Sequence, residues 1–182
     1  IVEAIKNHPN RKRFVAFHPM WGTENSGPKA AQKESFAGRA AVICDREDSE
    51  QDALALVENI AKNLEMHLIY MNADAHDVHT AYISHISHIT SYALANTVLE
   101  KEREEDTIFQ LASSGFSSTV RLAKSHPEMW VPIFKQNKEN VLDVLNEHIT
   151  QLRKFKSALE KENFELLEEL IKNANKIRGI LK

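Results

Sequence analysis

Between Ala75 and Leu99 the sequence has no lysine, arginine or glutamate, and Asp77 is the only formal charge. A helix without a charged face has no ordinary way to meet bulk water, so a chain with this segment must fold around it. Placing residues at about 100° per position gathers His76, Asp77, Thr80, Ser84, Ser87, His88 and Ser91 within about 120° of arc. Val78, Tyr82, Ile83, Ile86, Ile89 and Ala93 fall on the other side. Unpaired polar atoms in ordered backbone cost on the order of 1–3 kcal/mol each. The polar stripe therefore either satisfies itself against neighbouring helices or lines a cleft. The cleft reading rests on Asp77, Ser84 and His88, which the same count places within about 40° of one another.

A metal site is the weaker alternative. His76 with His79, and His85 with His88, have i, i+3 spacing, but the two pairs point to nearly opposite sides and no His-Glu-x-x-His is present. Cys44 is the single cysteine, which excludes an internal disulfide or thiolate cluster and fits a reducing, cytoplasmic location. No metal is expected.

The 182 residues are 42% hydrophobic and 27% charged, enough for a sizeable core. A net charge of -3, with scattered Lys and Arg, leaves no footprint for nucleic acid. No apolar run of about 18 residues exists to span a membrane. The opening Ile1–Lys6 reads as the end of a helix, so the chain is expected to be a piece of a longer protein.

Arg13–Phe17, Arg39–Cys44 and Met66–Met71 have strand length and strand composition. A helix is expected over about Glu50–Leu64, opened by Ser49 with Asp52 in capping-box position. The segment from Gly22 to Gly38 reads mostly as loop. After about Asn72 everything reads as helix: a long one to about Lys101, a second from about Glu105 into Ser113-Ser114-Gly115, a third over Ser117–Lys124, and a short one opened by Pro127. Two amphipathic stripes complete the chain, Val141, Val144, Leu145, Ile149, Leu152 and Phe155, then Phe164, Leu167, Leu170, Ile171, Ala174 and Ile177. They need a partner surface, and a second copy of the chain can supply part of it. The expected architecture is mainly α: an all-helical domain over residues 73–182, preceded by a small α/β part with about three strands over residues 1–72.

Two further groups carry chemistry. His18 ends a predicted strand, where α/β sheets bind ligands, and imidazole transfers protons near neutral pH. Gly22, Gly27 and Pro28 shape a loop that returns Thr23, Glu24 and Ser26 over it. Arg121 comes after a hydroxyl-rich break at an expected helix start, where free N–H groups and a guanidinium would hold a carboxylate. The plainer reading of Arg121 is a surface ion pair.

These residues resemble the prephenate and arogenate dehydrogenases of tyrosine biosynthesis. The match is carried by His18-Pro19-Met20 with Gly22, Glu24 and Gly27, by His76-Asp77, Ser84-His85 and His88, and by Gly115-Phe116, Thr119, Arg121-Leu122-Ala123, Met129-Trp130 and Asn137. The resemblance implies oxidative decarboxylation of prephenate to 4-hydroxyphenylpyruvate, with hydride passing to NAD or NADP and a helical domain forming a homodimer. It implies His18 as the catalytic base and Arg121 as the grip on a carboxylate of a small dicarboxylate substrate. His76, Ser84 and His88 would line the pocket, Trp130 would reach the substrate, and Glu24 would order the loop near His18. Arogenate specificity and a non-catalytic helical interaction module are the alternative readings. No Gly-x-Gly-x-x-Gly comes after any strand, so the cofactor would be bound mainly by a region N-terminal to this sequence, and the 1–72 part is expected to be the truncated end of a dinucleotide-binding domain. Trp21, Ser117 and Ser118 also depart from the family pattern.

Overall fold

The computed structural model describes residues 1–25, 27–105 and 107–181. Its architecture is mainly α, with one three-stranded sheet near the N-terminus. Strands β1 (Ala16–Pro19), β2 (Ala40–Cys44) and β3 (His67–Met71) lie in that order across the sheet. A central strand is covered on both faces and needs no polar alternation, and Ala41, Val42, Ile43 and Cys44 of β2 are all buried. Helix α1 (Gln51–Asn63) crosses from β2 to its parallel neighbour β3. Ala41, Ala61 and Met66 form a small core there, closed by Phe17, Phe36 and Leu68.

Strand β1 begins at Ala16 rather than Arg13, because Arg11–Arg13 forms a 3-10 turn. It also runs antiparallel to β2, with His18 opposite Val42. Its carboxyl end therefore lies beside the amino end of β2, and the rule that places ligands at the carboxyl ends of parallel strands does not locate His18. The capping box does not form either. Glu50 holds the cap position of α1 without a side-chain bond, the Ser49 hydroxyl donates to the Phe14 carbonyl at 3.0 Å, and Asp52 pairs with Arg13 at 2.5 Å.

The histidine-rich segment is one helical run in three pieces: α2 (Ala73–Thr80), a π turn over Ala81–His85, and α3 (Ile86–Glu105). Its start is fixed at two points. The Asn72 side chain accepts from the Ala75 N–H at 2.7 Å, and the Asp45 carboxylate accepts from the Ala73 N–H at 3.1 Å. The π turn holds an extra residue and rotates α3 by about 100° relative to an unbroken helix. The buried side accordingly comprises Thr80, Ala81, His85, His88 and Ser91. Val78, Tyr82 and Ile83, which the straight count put on the apolar side opposite the polar stripe, are 38%, 46% and 65% exposed.

The expected helix from Glu105 to Ser113 is replaced by a 3-10 turn over Ile108–Leu111. Ser117–Lys124 likewise divides into α4 (Ser114–Thr119) and a 3-10 turn, Arg121–Lys124. The Ser118 and Thr119 hydroxyls each donate to the Gly115 carbonyl at 2.9 Å, bonds of a kind that compete with helix propagation. Helices α5 (Pro127–Gln136), α6 (Lys138–Glu160) and α7 (Phe164–Ala174) complete the chain. Val141 and Val144 of α6 are buried, but α7 buries no residue, and its Phe164 and Ile171 are 63% and 48% exposed. Among the described residues no helix is long and apolar enough to cross a membrane.

Candidate functional site

His18 comes from β1 and His76 from the second turn of α2, and their rings meet edge to face with Nδ1 of His18 2.8 Å from Nε2 of His76. His76 Nδ1 lies 2.9 Å from the Asp77 carboxylate. A carboxylate only accepts, so Asp77 assigns the His76 proton to Nδ1. His76 Nε2 is then the acceptor for the proton on His18 Nδ1, which leaves the lone pair of His18 on Nε2. His18 remains open to solvent on one side, yet the protein packed round the ring lowers its pKa. His76 adds to that effect and Asp77 opposes it.

The loop after β1 reaches the second part of the site. Glu24 accepts a 2.8 Å bond from Nη1 of Arg121. Its carboxyl pKa is held low first by its own backbone N–H and then by that guanidinium. Arg121 does not stand in the first turn of a helix. It opens the 3-10 turn beyond the carboxyl end of α4, so no helix N-terminus adds to its pull on an anion. Thr23 closes a local turn with Asn25, and Ser26 lies outside the described residues.

His88 is buried, and its ring stacks on Trp130 at 3.4 Å between centroids. Its Nδ1 donates to the Ser84 carbonyl at 3.0 Å, which leaves Nε2 as an acceptor. Ser84 thus enters the site through its backbone. Burial lowers the His88 pKa, the Ser84 bond raises it, and the charge of nearby Arg121 lowers it again. The buried indole N–H of Trp130 has no hydrogen-bond partner among the described residues.

The sequence assigned no role to His85. Its ring is buried edge-on to Trp130 and Phe134, at 6.0 and 6.3 Å. Asn137 donates to its Nδ1 at 3.3 Å and to the Asp77 carbonyl at 2.7 Å, tying α2 to the junction of α5 and α6. The i, i+3 spacing of His85 to His88 was the available signal. Among the described residues no group of three or more His, Cys, Asp or Glu is placed to hold a metal ion.

His85 and His88 make stability depend on pH. Burial lowers the pKa of both, so below the unfolded value near 6.5 the unfolded chain takes up protons that the folded chain refuses. The stabilisation is complete above that value and is lost as pH falls through the folded values. The melting temperature should therefore fall by several degrees between pH 7.5 and 5.5, at about 2–4 °C per kcal/mol for a chain of this size. His85→Gln should flatten the dependence; an equal slope in that variant would remove His85 from the account.

The described residues thus form a mainly helical chain whose His18–His76–Asp77 chain and Glu24–Arg121 pair both involve β1 or the loop after it. Residues 72–173 match the model of the prephenate dehydrogenase dimerization domain, and residues 1–70 match that of the prephenate dehydrogenase nucleotide-binding domain. The chain belongs to the prephenate dehydrogenase family. It is 31% identical over 170 residues to the prephenate dehydrogenase of Bacillus subtilis, covering 93% of this chain and 46% of that protein. It is 27% identical over 183 residues to the cyclohexadienyl dehydrogenase of Zymomonas mobilis, covering 100% of this chain and 62% of that protein. The crystal structure of prephenate dehydrogenase from Aquifex aeolicus in complex with hydroxyphenyl propionate and NAD+ superposes with a TM-score of 0.84 at 30% identity, over 94% of this chain and 60% of that one. The chain thus spans about half the length of the first relative and about three-fifths of the other two.

Proposed function

We propose that the protein carrying this chain catalyses the oxidative decarboxylation of prephenate in tyrosine biosynthesis, and that these residues supply its substrate site. The observation that bears the reading is the Glu24–Arg121 contact, 97 residues apart in sequence. It draws the loop of His18 onto the turn of Arg121, so that a base and a carboxylate receptor flank one wall of polar helix. A cyclohexadienol with two carboxylates has the matching groups.

In this reading His18 Nε2 takes the hydroxyl proton and returns it to the phenolate oxygen of the product; hydride would leave the carbinol carbon for the nicotinamide and the ring carboxylate would leave as CO2, its bonding pair completing the aromatic ring. The Asp77–His76 pair accepts from His18 Nδ1 and stabilises the imidazolium that forms. Arg121 holds the other carboxylate by charge-assisted hydrogen bonds. Glu24 orders the loop after His18 against that guanidinium. His88, Ser84 and His76 line the pocket, and the unpartnered Trp130 N–H is a donor for a polar group of the substrate. NAD or NADP, when bound, accepts the hydride. This sequence has no glycine-rich phosphate turn, and β2 leads into Asp45-Arg46-Glu47-Asp48, whose three acidic residues oppose pyrophosphate. These residues offer the dinucleotide's phosphates no cradle; what they supply is the base and the substrate grip.

Within this reading the helical domain pairs two copies, because α7 and the Tyr82–Ile83 ridge leave apolar side chains in water. The deciding experiment offers prephenate and arogenate, each with NAD and NADP, to the natural protein that contains this chain. Reduced nicotinamide and CO2 in equal amounts with prephenate are expected. A folded dimer that turns over neither substrate would mark the protein as an interaction module.

A further inference from the structure

Ser91 has no part in the proposed chemistry, yet among the described residues it is the polar residue most completely enclosed, with 1% exposure. Its hydroxyl donates to the Thr119 carbonyl at 3.1 Å and accepts from the Ala123 N–H at 3.0 Å. The two attachment points lie two residues before and two residues after Arg121. Neither α4 nor the Arg121–Lys124 turn buries a residue; the turn packs on α3, and the Ser91 hydroxyl bonds its backbone to that helix. The Arg121 side chain is 51% exposed and bonded to Glu24, so its guanidinium is placed by that carboxylate together with the point where its backbone is tied. Ser91 also stands three residues after His88 on α3, on the same buried side. One helical turn therefore presents the His88 imidazole to the site and clamps the backbone that presents Arg121.

We infer that Ser91 is a positioning residue for substrate recognition: its hydroxyl sets the place of Arg121 relative to His88, and so the affinity for the substrate carboxylate. The inference rests on the proposed role of Arg121. A serine hydroxyl suits the task because it donates and accepts at once while fitting a site with no spare volume.

The test uses the natural protein containing this chain, with prephenate as substrate. Ser91→Ala should raise the KM for prephenate about tenfold, with kcat within about threefold of the parent and the KM for the nicotinamide cofactor unchanged. A merely structural loss would lower the active fraction, and with it kcat, at unchanged KM. In an Arg121→Ala background Ser91→Ala should change kcat/KM less than twofold, because the residue acts through the arginine. Ser91→Cys, close in size and weaker in bonding, should give an intermediate KM and carries the test should the alanine variant not fold. An unchanged prephenate KM in Ser91→Ala, or an undiminished effect in the Arg121→Ala background, overturns the inference. If Arg121→Ala itself leaves the prephenate KM unchanged, the reading of Arg121 has failed first.

Discussion

His18→Ala is expected to lower kcat in the natural protein by about two to four orders of magnitude, the range a positioned general base contributes. The prediction stems from the tautomer assigned by Asp77. With a proton on His76 Nδ1 and another on His18 Nδ1, only Nε2 of His18 faces outward as a base, and its lowered pKa keeps that base unprotonated at neutral pH. In the parent, kcat/KM should fall on the acid side with an apparent pKa below 6.5, the ordinary imidazole value. His18→Ala should lose that limb with a smaller effect on substrate binding, since Arg121, the assigned grip on the carboxylate, is bonded to Glu24 and not to His18. Turnover within a factor of three of the parent would remove His18 from the chemistry.

Arg121→Ala should act on binding. Charge-assisted hydrogen bonds to a carboxylate contribute about 1.5–3 kcal/mol, so the KM for prephenate should rise between roughly 10-fold and 150-fold. The dimer and the cofactor KM should not change. The variant also frees the Glu24 carboxylate beside the site, and the unpaired negative charge opposes the substrate further. Arg121→Ala, Glu24→Ala should therefore bind prephenate better than Arg121→Ala alone. Steady-state kinetics on the two variants would separate the lost attraction from the added repulsion.

The parts of the fold legible in the sequence are those with a period. Strand-length apolar runs located β2 and β3, helical spacing located α1, α6 and α7, and a segment from Ala75 to Leu99 with Asp77 as its one charge was expected at the centre. Some contacts among the residues singled out in the sequence are present in the fold, since His18 meets His76, Glu24 meets Arg121 and His88 stacks on Trp130. What could not be read was phase and pairing. Nothing in Ala81-Tyr82-Ile83-Ser84-His85 signals a π turn, so the straight helical count grouped Tyr82 and Ile83 with Ile86 and Ile89 on one apolar side. Ser113–Lys124 holds short polar residues whose hydroxyls compete with the backbone, and Ser91, 28 residues before Thr119, bonds the segment on both sides of Arg121. The direction of β1 is set by pairing with β2, which no local pattern in Arg13–Pro19 encodes.

The π turn at Ala81–His85 has a consequence for how such proteins can diverge. It lies between His76, which answers to the sheet, and His88, which answers to Trp130 and Arg121, and it sets the angle through which one is turned from the other. Side chains there can drift, but loss of one residue would relax the bulge into plain α-helix and swing the proton-transfer end away from the carboxylate end by about a quarter of a revolution. Across related chains the number of residues separating these two histidines should be guarded more strictly than their identity.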